Sequence, residues 1–226
     1  MNGKPDHLTD DASAALAESI DERIYFIRSK RWIAYPKAIE ILGHLNALLK
    51  HPRTTQIPSL AVYGDSGMGK SMLVEKFKDD HALSAHEWPH RPRSKLLVVE
   101  LAGRPNERRL FAQILAVLGA PQNPRATIVE LERTTVRLLR DIGVQVLVLD
   151  EIHNVLAASW REQRVVFNTL RHLSNQLKLS LVLFRDHGSS ASDQWRHAIG
   201  APLRLIVFAA MDGGQRVRTA RSSHRA

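Results

Sequence analysis

The sequence predicts an α/β fold: a parallel sheet flanked by helices, with an N-terminal helical extension and an irregular C-terminal tail. Three observations predict it. Four apolar runs, PSLAVYG, KLLVVEL, VQVLVLDE and LSLVLF, are short and nearly continuous, as in strands covered on both faces. Segments with apolar residues at three- and four-residue spacing lie between them, and strands that alternate with helices build parallel sheets. The 226 residues are 44% hydrophobic, enough for one good-sized core.

The elements follow in order. Residues 8–34 read as a helix, with Thr9 or Asp10 as cap and Leu16, Ile20, Ile24 and Ile27 on one face. Tyr35-Pro36 breaks or restarts it, and AIEILGHLNALLKHP is a second helix. PSLAVYG is the first strand, followed by a glycine-rich turn and the helix SMLVEKFKDDH. Residues 81–94 are polar and proline-bearing and read as a loop before the strand KLLVVEL. ERRLFAQILAVLGA is an amphipathic helix stopped by Gly119 and Pro121. TIVELERTTVRLLRDIG is another helix, capped by Thr127 and ended by Gly143. VQVLVLDE, SWREQRVVFNTLRHLSNQLK and LSLVLF then give strand, helix and strand. Three regions are expected: a helical extension over 1–40, an α/β core over 41–184 and an atypical tail over 185–226.

The absence of cysteine excludes disulfides and thiolate-held metals and fits a reducing compartment. The first residues are polar and acidic, unlike a secretory leader, and no run reaches the length of a membrane span. A cytoplasmic protein without a membrane partner is therefore expected. The net charge of +9 suits contact with nucleic acid, and equally suits a solvated basic surface.

The strongest motif is Gly64-Asp65-Ser66-Gly67-Met68-Gly69-Lys70-Ser71, which fits G-x-x-x-x-G-K-[ST] between a strand and a helix. Its glycines let backbone N–H groups turn towards phosphate oxygens, and the helix start adds partial positive charge. Lys70 is expected at the β- and γ-phosphates of ATP, and the Ser71 hydroxyl on Mg²⁺. The second motif is VLVLDEIH, residues 146–153, in which an apolar strand delivers two carboxylates to its C-terminal end. Asp150 is expected to hold Mg²⁺, and Glu151 to act as general base on the attacking water.

Softer candidates surround these. Trp32 and Tyr35 are either an adenine-binding pair or a core aromatic pair. His153 is either a nucleotide sensor or a surface histidine. Arg104, Arg108 and Arg109 either touch DNA phosphates or form an ordinary solvated helix start.

RWIAYP, AVYGDSGMGKS, LFAQILAVLGAP, VLVLDEIHNVL and FNTLRHLSNQLKLSLVLF, in this order, resemble the TniB/TnsC-like AAA+ ATPases of DNA transposition over about residues 20–184. The resemblance implies an ATP-dependent module that forms homo-oligomers on DNA without sequence preference. It also implies recruitment or activation of a partner DDE transposase, with no recombinase activity of its own. Gly64, Gly69, Lys70 and Ser71 carry over as the ATP and Mg²⁺ site, and Asp150 and Glu151 as Walker B. A helicase loader or replication initiator would share the same core, and a truncated nucleotide-binding protein without activity is a further alternative.

The resemblance ends after Phe184. Where the family continues with a glycine-led sensor segment, an Ala-Arg-Arg-Phe-like stretch and a helical lid, this chain reads RDHGSSASDQWRHAIGAPLRLIVFAAMDGG. Back-translated and read one base later, the segment admits glycine–isoleucine–threonine–glutamate–alanine and then leucine–alanine–arginine–arginine–phenylalanine. Residues 185–226 therefore read as the product of a frameshift near codon 185. ATP turnover then depends on sensor and arginine-finger functions supplied from elsewhere.

Overall fold

The computed structural model describes residues 10–29, 31–65, 67–81, 94–103, 106–121, 123–186 and 203–208. The chain divides into two compact units, Met1–Ala34 and Tyr35–Ala226. The first holds α1 (Asp10–Ala15) and α2 (Ile20–Arg28). One continuous helix was the expectation for this stretch. Ser19 breaks it, because its side chain accepts from the Glu22 amide while the Glu22 carboxylate accepts from the Ser19 amide, a reciprocal cap that starts a new helix.

The second unit begins with α3 (Pro36–Lys50), with proline in the first helical turn, where its missing N–H costs nothing. The division between the units lies at Ala34/Tyr35. There follow β1 (Ser59–Gly64), α4 (Lys70–Asp80), β2 (Leu96–Glu100), α5 (Glu107–Val117), α6 (Ile128–Ile142), β3 (Val146–Asp150), α7 (His153–Leu156), α8 (Trp160–Leu177), β4 (Ser180–Asp186) and β5 (Leu203–Phe208). The caps Thr127 and Gly143 of α6 stand where the sequence puts them. The single turn α7 was not expected. It is too short to show a periodicity.

The sheet is parallel with strand order β2-β3-β4-β1-β5. Every residue of β1 is buried, as a central parallel strand requires. On one face, Ala61, Leu147, Leu149, Leu181 and Leu183 join Leu110, Phe111 and Ile114 of α5, Leu139 of α6 and Phe167, Leu170 and Leu173 of α8 in one core. Alternate residues, Leu60, Val62, Val148, Val182 and Phe184, point to the other face. There α3 and α4 bury Ile41, Leu45, Leu73 and Phe77. Truncating any of these to alanine costs about 2–5 kcal/mol.

β4 runs two residues past Phe184, and Leu203–Phe208 of the expected irregular tail forms β5, in register with all six residues of β1. Ile206 is buried there while Arg204 and Val207 are exposed, as on an edge strand. Among the described residues, no helix is long and apolar enough to cross a membrane.

Candidate functional site

The glycine-rich turn stands between the C-terminal end of β1 and the first residue of α4. Gly67 and Gly69 have φ of 82° and 89°, the left-handed region that a residue with a Cβ rarely adopts. Gly69 caps α4 and brings no side-chain acceptor to the first turn of the helix. A Cβ at Gly67 would meet nothing within 4 Å. The glycine is therefore required by the backbone angle and not by crowding, and the space beside it is open for an anion. Ser66 lies outside the described residues, whereas Asp65, Gly67 and Ser71 are exposed and Met68, Gly69 and Lys70 half-buried.

The Lys70 ammonium lies within the loop, where Nζ donates to the carbonyls of Gly64 at 2.9 Å and Asp65 at 2.7 Å. Tyr35 reaches the same loop, its hydroxyl donating to the Met68 carbonyl at 3.0 Å. Burial raises the Tyr35 pKa above the usual phenol value, which keeps it a donor. Trp32 belongs to the first unit.

The two carboxylates lie at the same edge of the sheet. Leu149 of β3 pairs with Leu183, and Gly64 of β1 with Asp186. Asp150 is therefore level with Phe184 and Val62, two strand spacings across and two residues short of Gly64, about 12 Å from the start of the turn. The Asp150 carboxylate accepts the Glu151 amide at 2.9 Å. Glu151 has φ 58°, a left-handed backbone at a non-glycine residue. Its carboxylate meets His153 Nδ1 at 3.0 Å, and both side chains are part-exposed. Asn154 fixes the turn from behind by donating to the Leu101 carbonyl at 2.7 Å. Sequence reasoning left His153 between two roles; the structure puts it against Glu151.

The arginines after β2 separate. Arg104 lies outside the described residues. The Arg108 guanidinium donates to the carbonyls of Ala126 and Pro124, both at 2.7 Å, and so ties α5 to the approach to α6. The Arg109 guanidinium lies beside Gly103, 2.9 Å from where a Cβ would be. Past Phe184, Arg185 is 3% exposed, with its guanidinium carbon 5.5 Å from the centre of the Tyr63 ring.

A loop of left-handed glycines at a helix start, a lysine and a serine together suit a polyphosphate. A serine hydroxyl and an aspartate on one sheet edge are oxygen donors of the kind Mg²⁺ takes. The residues present therefore fit ATP with Mg²⁺.

The family model described as Bacterial TniB protein matches residues 23–188, and its end falls where the sequence departs from the resemblance. Among solved structures, the chain is similar to Cdc6p from Pyrobaculum aerophilum, with a TM-score of 0.52 and 18% identity over 79% of this chain and 47% of that one. It is similar to the Aeropyrum pernix ORC1 protein in complex with DNA, with a TM-score of 0.55 and 16% identity over 76% and 44%. It is similar also to the Aeropyrum pernix ORC2 protein in ADPNP-ADP complexes, with a TM-score of 0.53 and 17% identity over 79% and 50%. The chain spans about half the length of these solved chains. At such identities the likeness is one of fold, that of a P-loop ATPase of the AAA+ type. No curated protein matches the chain.

Proposed function

The chain belongs to the TniB family, and from that membership we propose that it is an ATP-binding regulator of DNA transposition, which assembles on DNA and recruits or activates a partner DDE transposase. The observation that carries the proposal is the glycine-rich turn on the same sheet edge as Asp150 and Glu151, in a chain matched by that family over residues 23–188. The DNA complex of the ORC1 protein, which has the same fold, supports a DNA partner for this chain.

In this reading the N–H groups of the turn and the start of α4 hold the phosphates. Lys70 exchanges its two carbonyl acceptors for phosphate oxygens. Tyr35 steadies the loop through Met68. Ser71 and Asp150 hold Mg²⁺, which when bound neutralises phosphate charge. Glu151 accepts the proton of the attacking water, and His153 holds its carboxylate in place until then. Hydrolysis at full rate needs an arginine on the transferred phosphoryl group, which such sites take from a neighbouring subunit.

The test is a reconstitution with the cognate transposase. Strand transfer that depends on this chain, ATP and DNA together is the expected result. Strand transfer that is indifferent to the chain, while it loads a replicative helicase, would favour the initiator class instead.

A further inference from the structure

At the end of the sheet away from the glycine-rich turn, where β3 and β4 begin, Arg53, Arg140 and Lys178 surround a cavity of about 250 Å³. Its floor is apolar, made by Leu139, Val144 and Leu177, all buried. Arg53 is held there by donating to the Gly143 carbonyl at 3.2 Å. Among the described residues, none of the ion pairs involves any of the three cations.

Part of this charge has a local explanation, since α6 and α8 both end here and helix C-termini favour cations. The backbone of Lys178 has none. It caps α8 with φ 53°, a position usually taken by glycine, which carries no Cβ penalty. A lysine kept in a strained position points to use of its side chain.

The cavity also lies at the foot of two basic stripes. Arg133, Arg137 and Arg140 recur at helical spacing on α6, all exposed. Arg164, Arg171 and Lys178 recur every seven residues along α8, a rise of about 10 Å each. Such a row of cations suits a polyanion with regularly repeated charges better than one compact ligand. The cavity itself is smaller than the roughly 300–1,000 Å³ of a small-molecule site.

We propose that this face binds the DNA backbone. A phosphate sits among Arg53, Arg140 and Lys178, and its deoxyribose rests on Leu139, Val144 and Leu177. The inference rests on the DNA-association part of the proposed function and adds a surface remote from the nucleotide site.

The experiment titrates a mixed-sequence duplex with the full chain and ATP at increasing salt. It compares the parent with R53Q/R140Q/K178Q and with a charge-matched control, R23Q/R28Q/K50Q, drawn from exposed residues elsewhere. The one lost phosphate contact lowers the slope of log affinity against log salt by about 0.9 and weakens binding roughly tenfold at 0.1 M salt. The control stays close to the parent. A cavity variant no weaker than the control overturns the inference. So does a variant that keeps DNA binding but loses binding of polyglutamate, which would make the occupant an acidic protein segment. A parent that binds no duplex overturns the DNA-association reading itself, and this inference with it. The single variant K178G distinguishes strain from support: its thermal midpoint is expected at or above that of the parent, with a salt slope lowered by part of that amount. A lower midpoint with an unchanged slope would make Lys178 merely structural.

Discussion

The two ends of the sheet solve the same backbone problem in two ways. At the C-terminal end Gly67 and Gly69 take left-handed turns without strain, and a few residues' width away Glu151 takes one with a Cβ. At the opposite end Gly143 ends α6 in the same region of φ, and Lys178 ends α8 there with a Cβ. Glu151 and Lys178 are the non-glycine residues with positive φ among the described residues. Each accepts about 1–2 kcal/mol that glycine would avoid. Where the fold alone needs a turn the sequence uses glycine; where a charge is needed at the turn it keeps the side chain and the strain. The difference marks one residue at each end as selected for something other than stability.

The largest expected effect tests the Glu151 half of that comparison. Glu151→Gln leaves ATP binding unchanged and removes hydrolysis, by about 10²–10⁴ for a lost general base. Glu151→Gly removes it equally and raises unfolding stability by about 1 kcal/mol, measured in denaturant. A less stable glycine variant would mean that Glu151 earns its position structurally, through His153. Next comes Lys70→Ala, which should weaken ATP by at least about a hundredfold with the fold intact, since its ammonium donates to carbonyls of the loop and not to the sheet core. Unchanged ATP affinity by calorimetry would sink the whole C-terminal-end assignment.

A third experiment asks whether both ends are intact while the defect lies elsewhere. A gene with the reading frame restored near codon 185 should hydrolyse ATP at least tenfold faster with DNA, against a range of about 10³–10⁵ for such arginines. Equal rates would make the present tail a functional lid. The smallest effect concerns β5. Burial, and then the Arg204 charge, hold the His44 pKa below its ordinary value. The unfolded chain thus takes up the proton first. The stability is full above the ordinary histidine pKa and falls as pH drops through about 6.5 towards the folded value. His44→Gln should flatten that part of the pH–stability curve, and an unchanged curve would remove His44 from the account.

The glycine-rich turn and the carboxylate pair were legible in the sequence because their chemistry is contiguous: eight residues for one, two for the other. Helix α6 was legible because Thr127 and Gly143 announce its ends. The basic cavity was not, because Arg53, Arg140 and Lys178 come together only when β3 and β4 bring the ends of α6 and α8 beside the approach to β1. Nothing in Leu177-Lys178-Leu179 signals a left-handed residue, since a lysine is the usual mark of an ordinary helix. β5 went unseen for a related reason. Leu203–Phe208 is apolar enough for a strand, but its place is fixed only by pairing with β1, some 140 residues earlier.

That pairing bears on how the molecule is made. β1 lies between β4 and β5, so neither of its neighbours exists until well over a hundred further residues have been translated. The strands β2 and β3 can pair with each other, and then with β4, while β1 still waits. Closing such distant contacts is slow, and an unpaired apolar strand is a template for aggregation in the interval. The nucleotide loop hangs from a strand that is seated late. A nascent chain released at residue 184 would expose one whole edge of β1, and its yield of soluble protein should depend on chaperones far more than that of a chain extending past Phe208.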